Sequence, residues 1–310
     1  RGINGFKYKK NLTLNAGNSG TVGRLILSLL IKSPYKIKII GDKSLSKRDF
    51  SRVTKPLSKI GVKFFPKGKS RLPISILGSN YLRPIEYYEE RGSAQCKTCL
   101  MFASLNTPGE MQIFAKRSRN HSELMFKNLK IPILVKKHGK IDYIKTSSPD
   151  RLDKFNLDIP GDISSGAFFI ALTLLSKNSN LILKNINLNP SRLGIIKILN
   201  KMGAGIKTKN IKLNKGEKCG DIIVKSNKKL KAINCPSYLN SSAIDEFLII
   251  FLVAAKSKGI SYFKNLSELN KKESPRLKLG SKILNMIGIK TKLTNNSIKI
   301  YGNPNINLNK

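Results

Sequence analysis

Two short clusters of charged residues are the parts of this sequence best suited to chemistry. Asp245-Glu246 places two carboxylates at the beginning of a strongly apolar segment, and a second cluster, KESPR, follows at 272–276. Acids on an apolar helix are costly unless they are paired or solvated at a cleft, although in a first helical turn they favour the helix dipole. A carboxylate at a cleft can act as a general base. Each cluster therefore fits either a proton-transfer group or a charged helix start.

Arginine is the second kind of residue whose placement indicates chemistry. Arginine holds phosphate or carboxylate through two parallel hydrogen bonds, whereas lysine acts as a point charge. Lysine supplies most of the positive charge of this chain, so a recurring arginine indicates a positional demand. Five arginines recur at comparable places of an internal repeat: Arg24, Arg48, Arg119, Arg192 and Arg276.

The secondary-structure elements of that repeat must position the acids and arginines. Small and polar residues precede an apolar run at four places roughly 75 residues apart, at 17–21, 92–95, 162–165 and 240–243. Such residues are typical of helix N-termini. Each predicted helix is followed by a β-rich segment, a basic turn, a second amphipathic helix and a β-hairpin. The sequence thus predicts four βαβαββ units.

The repeat has a consequence for ligands. If the units stack, several helix N-termini point the same way, each with unpaired N–H groups and the positive end of its dipole. Such a face attracts anions before any side chain contributes. We therefore expect anionic substrates.

Composition limits the class of protein. The chain has 310 residues, 40% hydrophobic, and 58 Lys+Arg against 18 Asp+Glu give a net charge of +40. This length fits two domains, predicted at 1–158 and 159–310. No charged-then-apolar leader is visible, and the longest apolar run, Phe247 to Ala255, has nine residues, whereas a membrane-spanning helix needs about 20. We expect a cytoplasmic protein without a membrane partner.

Metal and nucleic-acid sites are not indicated. Cys96 and Cys99 form a C-x-x-C pattern inside a predicted helix, and Cys219 and Cys235 are far from it. We interpret the pair as small buried side chains, and the two histidines do not stand at metal-ligand spacing. Nonspecific binders of single strands use stacking aromatics, but this chain has 7% aromatic residues and no Trp. We expect weak nonspecific RNA binding at low salt and no specific nucleic-acid partner.

Seven sequence blocks, in order, resemble the 5-enolpyruvylshikimate-3-phosphate (EPSP) synthases, or 3-phosphoshikimate 1-carboxyvinyltransferases, of the class II bacterial type. The resemblance extends over essentially the whole chain. The blocks are LNAGNSGTVGR at 14–24, GDKSLSKR at 41–48, SAQCK at 93–97, SRNHSE at 118–123, PGDISS at 160–165, IDE at 244–246 and KESPR at 272–276.

The resemblance implies an α/β (α+β) fold, a two-lobed inside-out α/β barrel built from βαβαββ repeats. The family has six repeats, of which four are recognisable here. The N-terminal P-G-D-K-S-x-x-x-R block and the C-terminal D-H-R block of the family are not found, so the first and last repeats are expected to be missing from this chain.

By resemblance, the reaction transfers the enolpyruvyl group of phosphoenolpyruvate to the 5-hydroxyl of shikimate 3-phosphate and releases phosphate. Asp245 is implied to accept the hydroxyl proton, and Glu273, aided by Lys272, to exchange protons with the methylene carbon. Shikimate 3-phosphate is implied to contact Ser93, Ala94, Gln95, Ser118, Arg119, Asp245, Glu268 and Lys272. Phosphoenolpyruvate is implied to contact Gly20, Arg48, Gln95 and Arg276. No cofactor or metal is implied, and a monomer is expected.

Three positions qualify the resemblance. Pro275 stands where the family usually has Asp, and Asn270 stands where it usually has Arg. Proline is acceptable at a helix start. Gly20 is retained where some members carry a small side chain that excludes the inhibitor glyphosate, so inhibition by glyphosate is predicted.

Other functions stay open at this point. A UDP-N-acetylglucosamine enolpyruvyl transferase has the same fold and donor, but often uses a cysteine nucleophile. A non-catalytic basic fragment that binds RNA is the alternative from another class.

Overall fold

The computed structural model describes residues 8–226, 229–271 and 274–307, leaving the side chain of Lys271 aside. The chain separates into two compact units, Arg1–Asn156 and Leu157–Lys310. Lys272 and Glu273, two of the predicted catalytic residues, lie outside the described residues. Each unit is described by itself.

The first unit contains two successive βαβαββ repeats, as predicted. In both sheets the first pair of strands is parallel and the others are antiparallel, with the orders β1-β2-β4-β3 and β5-β6-β8-β7. The elements are β1 (Thr13–Asn15), α1 (Gly20–Leu29), β2 (Ile37–Ile40), α2 (Ser51–Ile60), β3 (Lys63–Phe65), β4 (Ile74–Leu77), β5 (Glu86–Glu89), α3 (Ala94–Ser104), β6 (Glu110–Lys116), α4 (His121–Asn128), β7 (Ile133–His138) and β8 (Ile141–Ser147).

The second unit follows the same order of helices and strands, but each of its sheets has three strands instead of four. Its sheet orders are β10-β11-β9 and β12-β14-β13. The elements are α5 (Ile163–Leu175), β9 (Asn180–Asn187), α6 (Gly194–Lys201), β10 (Lys207–Asn214), β11 (Glu217–Lys225), α7 (Phe247–Ala255), β12 (Gly259–Phe263), α8 (Arg276–Met286), β13 (Thr291–Leu293) and β14 (Ile298–Gly302).

The prediction of a first β-strand was wrong for both repeats of this unit. In its place stand isolated parallel bridges, Gly161 to Ile186 in one repeat and Lys231 to Lys258 and Asn234 to Tyr262 in the other. A proline, at 160 and at 236, adjoins each of these segments. Proline has no N–H to donate, so it limits the length of such a ladder.

The predicted helix starts were right for the first unit and partly wrong for the second. The side chains of Ser19 and Ser93 cap α1 and α3 by accepting from the N–H groups of Val22 and Cys96. The fourth opening instead forms a short 3-10 turn, Ser241–Ala243, and α7 begins only at Phe247. Asp245 and Glu246 therefore precede the apolar helix instead of lying within it.

The core of each unit is one cluster of apolar side chains beneath its helices. In the first unit Leu27 and Leu57, from two helices, and Ile39 and Ile113, from two sheets, are fully buried. This mixed α/β packing confirms the predicted fold class. No helix among the described residues is long and apolar enough to cross a membrane.

Candidate active site

The N-terminus of α1 gathers two arginine side chains in the first unit. Gly20 is the first residue of this helix, and a Cβ added to it would lie 2.5 Å from Nη1 of Arg48 and 3.0 Å from Nη1 of Arg24. Two guanidinium groups beside the positive end of a helix dipole repel one another unless an anion lies among them. The absence of a side chain at Gly20 lets both guanidinium groups approach the helix start, which makes this place suited to a phosphate or carboxylate group.

Gln95 is held beside this place in one defined orientation. Nη1 of Arg24 donates to Oε1 of Gln95 at 2.7 Å, and Nε2 of Gln95 donates to Oγ1 of Thr21 at 2.8 Å. Arginine can only donate hydrogen bonds, so its contact fixes which end of the amide is the oxygen. Arg24 itself is buried, donates to the Asp49 carbonyl at 3.1 Å and lies over the Phe50 ring. Nε2 is therefore the donor that Gln95 can offer to an anion.

Asp42 joins the two loops that carry these groups. Its Oδ1 accepts from the Leu45 N–H at 2.7 Å and its Oδ2 from Nδ2 of Asn18 at 2.5 Å. Its own N–H donates to the Gly17 carbonyl at 2.9 Å. The Leu45 bond and then the Asn18 bond lower the pKa of the Asp42 carboxyl. The loop before α1 is thereby tied to the turn that ends in Arg48.

The start of α3 is shaped by a buried carboxylate. Glu89, at the end of β5, accepts from the N–H groups of Arg91 at 3.1 Å and Ser93 at 2.9 Å. These bonds fold the loop so that Ser93 caps the helix. Ala94 is the first helical residue, and both it and Ser93 are half-buried. Because the first N–H groups of a helix have no partner within the helix, this helix start is suited to binding an anion.

Ser118 and Arg119 lie just before α4, which is fixed to α3 by a buried ion pair. Nζ of Lys97 lies 2.5 Å from Oε1 of Glu123, with side-chain exposures of 0% and 5%. Oγ of Ser118 is buried and has no hydrogen-bond partner in the part of the chain that the structure describes. An unpaired buried hydroxyl is costly, so a ligand that accepted from Ser118 would repay that cost.

Asp245 and Arg276 meet in the second unit. Nη1 of Arg276 donates to Oδ1 of Asp245 at 3.2 Å, and the two side chains are about one-quarter exposed. Pro275 occupies the cap position of α8 and Arg276 is its first residue, in keeping with the expectation that proline is tolerated there. Glu268 lies exposed in a 3-10 turn at Ser267–Lys271.

Sequence reasoning singled out Arg24 without a role for it, and it missed Asp42 and Glu89, which together with Arg24 hold the predicted site residues in place. Within the first unit Gly20, Arg48 and Gln95 lie close together, and the contacts that assemble them come from Arg24, Asp42 and, for the neighbouring loop, Glu89. A usable signal existed, because Arg24 and Asp42 stand inside the blocks at 14–24 and 41–48. Glu89 gave no such signal.

The cysteines are unsuited to nucleophilic chemistry. All four are buried and none forms a disulfide. Burial raises the pKa of Cys96 to about 12 and that of Cys235 to about 11, and it also raises the pKa of Cys99 and Cys219. A thiolate is the reactive form. The structure thus agrees with the interpretation of Cys96 and Cys99 as buried packing residues.

Comparison with known proteins identifies the class and then the family. The chain resembles the enolpyruvyl transferase NikO from Streptomyces tendae with a TM-score of 0.65 and 11% identity over 89% of this chain and 62% of that one, which shows a shared fold. EPSP synthase from Acinetobacter baumannii is 33% identical with a TM-score of 0.83, over 97% of this chain and 67% of that one. The fold is therefore that of the enolpyruvyl transferases.

The family follows from sequence. Residues 1–309 match the EPSP synthase (3-phosphoshikimate 1-carboxyvinyltransferase) family. The 3-phosphoshikimate 1-carboxyvinyltransferase of Caldicellulosiruptor saccharolyticus is 38% identical over 291 residues, which are 93% of this chain and 67% of that protein. The chain belongs to the EPSP synthase family of transferases and spans about two thirds of the length of these relatives.

Proposed function

We propose that this chain binds phosphoenolpyruvate and shikimate 3-phosphate and transfers the enolpyruvyl group to the 5-hydroxyl of the latter, with release of phosphate. This is the reaction for which its family is named, a step toward chorismate and the aromatic amino acids. A monomeric, cytoplasmic enzyme without a metal or organic cofactor stays a prediction.

The observation that carries the proposal is the anion site at the start of α1. Arg48 and Arg24 both lie close to Gly20. The hydrogen bond from Arg24 holds Gln95 so that its Nε2 points toward Thr21, the second residue of the same helix. Phosphoenolpyruvate carries a phosphate and a carboxylate, and both groups are suited to guanidinium groups and to a helix N-terminus. Preformed donors of this kind bind without reorganising, which is what stabilises developing charge in a transition state.

The acceptor is proposed to lie against the starts of α3 and α4. Ser93, Ala94 and Gln95 stand at the first of these starts, and Ser118 and Arg119 stand just before the second. Hydroxyl, amide and guanidinium donors suit a phosphate group. The buried Oγ of Ser118, which lacks a partner among the described residues, supports a ligand contact there.

Proton transfer is proposed for the acids. Asp245 takes the proton of the 5-hydroxyl as its oxygen bonds to C2 of phosphoenolpyruvate, and Glu273 gives a proton to the methylene carbon. In the second half the C2–O bond to phosphate breaks, Glu273 removes a proton from the methyl group formed in the first half, and the leaving phosphate takes up the proton that Asp245 had accepted, so that protons and charge balance. Lys272 aids this exchange, Arg276 holds phosphoenolpyruvate, and Glu268 contacts the shikimate side. The Asp245–Arg276 contact supports a place where a base adjoins an anion-binding group.

Acceptor choice separates this proposal from its rival. We expect phosphate release from phosphoenolpyruvate with shikimate 3-phosphate and none with UDP-N-acetylglucosamine, both measured by a coupled phosphate assay. The buried, high-pKa cysteines argue against the rival, which often uses a cysteine nucleophile. Release with UDP-N-acetylglucosamine alone would reverse the assignment.

A further inference from the structure

Glu246 is a buried acid beside Asp245 that the proposed chemistry does not use. Its exposure is 2%, and its Oε1 accepts a hydrogen bond from Oγ of Ser164 in the first turn of α5. A buried carboxylate is costly unless it is hydrogen-bonded and compensated by positive charge. The bond to Ser164 is the first part of that compensation.

The second part is a guanidinium behind the serine. Nη2 of Arg192 donates to Oγ of Ser164 at 2.6 Å and to Oδ1 of Asp162 at 2.5 Å. A serine hydroxyl has one proton, so Ser164 gives it to Glu246 while it accepts from Arg192. The three side chains thus form a directed chain from a cation to an anion, in which each bond polarises the next.

The hydrogen bonds from Arg192 through Ser164 to Glu246 join the starts of three helices. Ser164 belongs to α5, Glu246 is the cap residue of α7, and Arg192 stands just before α6. The backbone turn of Arg192 is itself fixed, because its N–H donates to the Asn189 carbonyl at 2.8 Å. Contacts with α5 and with the turn before α6 therefore fix the position of Glu246, and with it the backbone of Asp245.

Backbone packing holds the same turn from another direction. A Cβ added to Gly194, the first residue of α6, would lie 2.5 Å from the carbonyl carbon of Ser242 and 2.6 Å from the nitrogen of Ala243. These atoms belong to the 3-10 turn that leads into Asp245. The turn is thus confined by helix α6 as well as by the polar chain.

We propose that Arg192, Ser164 and Glu246 are positioning residues that fix Asp245 for its task. The inference rests on the proposed function, in which Asp245 accepts the hydroxyl proton. A displacement of about 1 Å at a reacting group can cost roughly 100-fold in rate. Loss of these hydrogen bonds should therefore lower turnover more than it weakens substrate binding.

The test replaces the central hydroxyl. In Ser164→Ala, kcat for phosphate release should fall roughly 10- to 100-fold while both KM values stay within about threefold. Ser164→Thr keeps a hydroxyl and should restore kcat to within about threefold of the unchanged chain. Ser257→Ala is the matched control, since Ser257 is fully buried and its Oγ donates to the Val253 carbonyl at 2.8 Å, at the far end of α7.

Each outcome decides the proposal. If kcat of Ser164→Ala equals that of Ser257→Ala, the positioning role is wrong. If the unchanged chain shows no turnover, the proposed function fails instead, and the positioning role is read from amide hydrogen exchange of residues 243–246. Exchange that is faster in Ser164→Ala than in Ser257→Ala supports the role, and equal exchange overturns it.

Discussion

At the scale of single residues, this chain combines ligand-binding groups with less visible residues that hold them. Whole blocks of sequence carry Gly20, Arg48 and Gln95, the residues proposed to bind phosphoenolpyruvate, and so these residues could be named from sequence. Arg24 and Asp42 stand in the same blocks, but their supporting contacts could not be predicted, because a hydrogen bond such as that from Arg24 to Gln95 joins residues 71 positions apart. Nothing in local sequence indicates such a contact.

Gly20→Ala tests the anion site. The added Cβ would lie 2.5 Å from Nη1 of Arg48, so the guanidinium must move away from the helix start. We expect a KM for phosphoenolpyruvate raised roughly tenfold, with weaker inhibition by glyphosate than in the unchanged chain. Steady-state kinetics with inhibitor titration measure both quantities. An unchanged KM would show that Arg48 does not meet phosphoenolpyruvate over Gly20.

Asp42→Asn tests the tie between the two loops through pH. Because hydrogen bonds lower the pKa of this carboxyl in the folded chain, the unfolded chain binds its proton more tightly. The Asp42 carboxylate therefore stabilises the fold above about pH 4, near the pKa that this carboxyl has in the unfolded chain. This stabilisation is lost as the pH falls through the lower pKa that the carboxyl has in the folded chain. The free energy of unfolding of Asp42→Asn should thus decline less steeply below about pH 4. Urea unfolding at several pH values measures this, and parallel declines would contradict it.

At the scale of elements, the repeat predicted from spacing is the part of the fold that sequence defines best. Polar openings and period changes locate the helices and the hairpins, because these signals act locally. The missing first strands of the second unit depend on prolines and on pairing with distant strands. The 3-10 turn before α7 packs against Gly194, which lies about fifty residues earlier in the chain, and local sequence does not indicate this contact.

The helix ends offer a stability test. Three of the second helices of the repeats are followed by a glycine of positive φ, Gly61 at 121°, Gly203 at 91° and Gly288 at 83°, whereas Lys130 takes this place in the other repeat with φ 56°. Glycine adopts such values without the steric cost that a side chain brings. Lys130→Gly should raise the free energy of unfolding by about 0.5–1 kcal/mol, as measured by urea denaturation. An exposed helix site such as Lys127→Gly should instead lower it by about 1 kcal/mol.

At the scale of the whole molecule, the net charge of +40 fits both an enzyme with a basic surface and a nucleic-acid-binding protein, so binding measurements must separate them. Electrostatic binding to RNA releases counterions, so its affinity falls steeply as salt rises. We expect binding of single-stranded RNA at about 20 mM salt to fall at least 100-fold by about 200 mM, measured by fluorescence anisotropy. Shikimate 3-phosphate should bind at both salt concentrations. Strong RNA affinity with an equally steep fall with salt, without binding of shikimate 3-phosphate, would favour the RNA-binding alternative.

The family assignment is likewise a property of the whole chain, since it depends on seven blocks in order and not on any one of them. The central claim of the proposed function is that Asp245 serves as the base of enolpyruvyl transfer. The most direct measurement is the rate of phosphate release with phosphoenolpyruvate and shikimate 3-phosphate for the unchanged chain and for Asp245→Asn. Asparagine keeps an acceptor for Arg276 but takes up no proton, so we predict a fall in kcat of roughly 100-fold or more with little change in either KM. Equal rates for the two proteins would contradict the account.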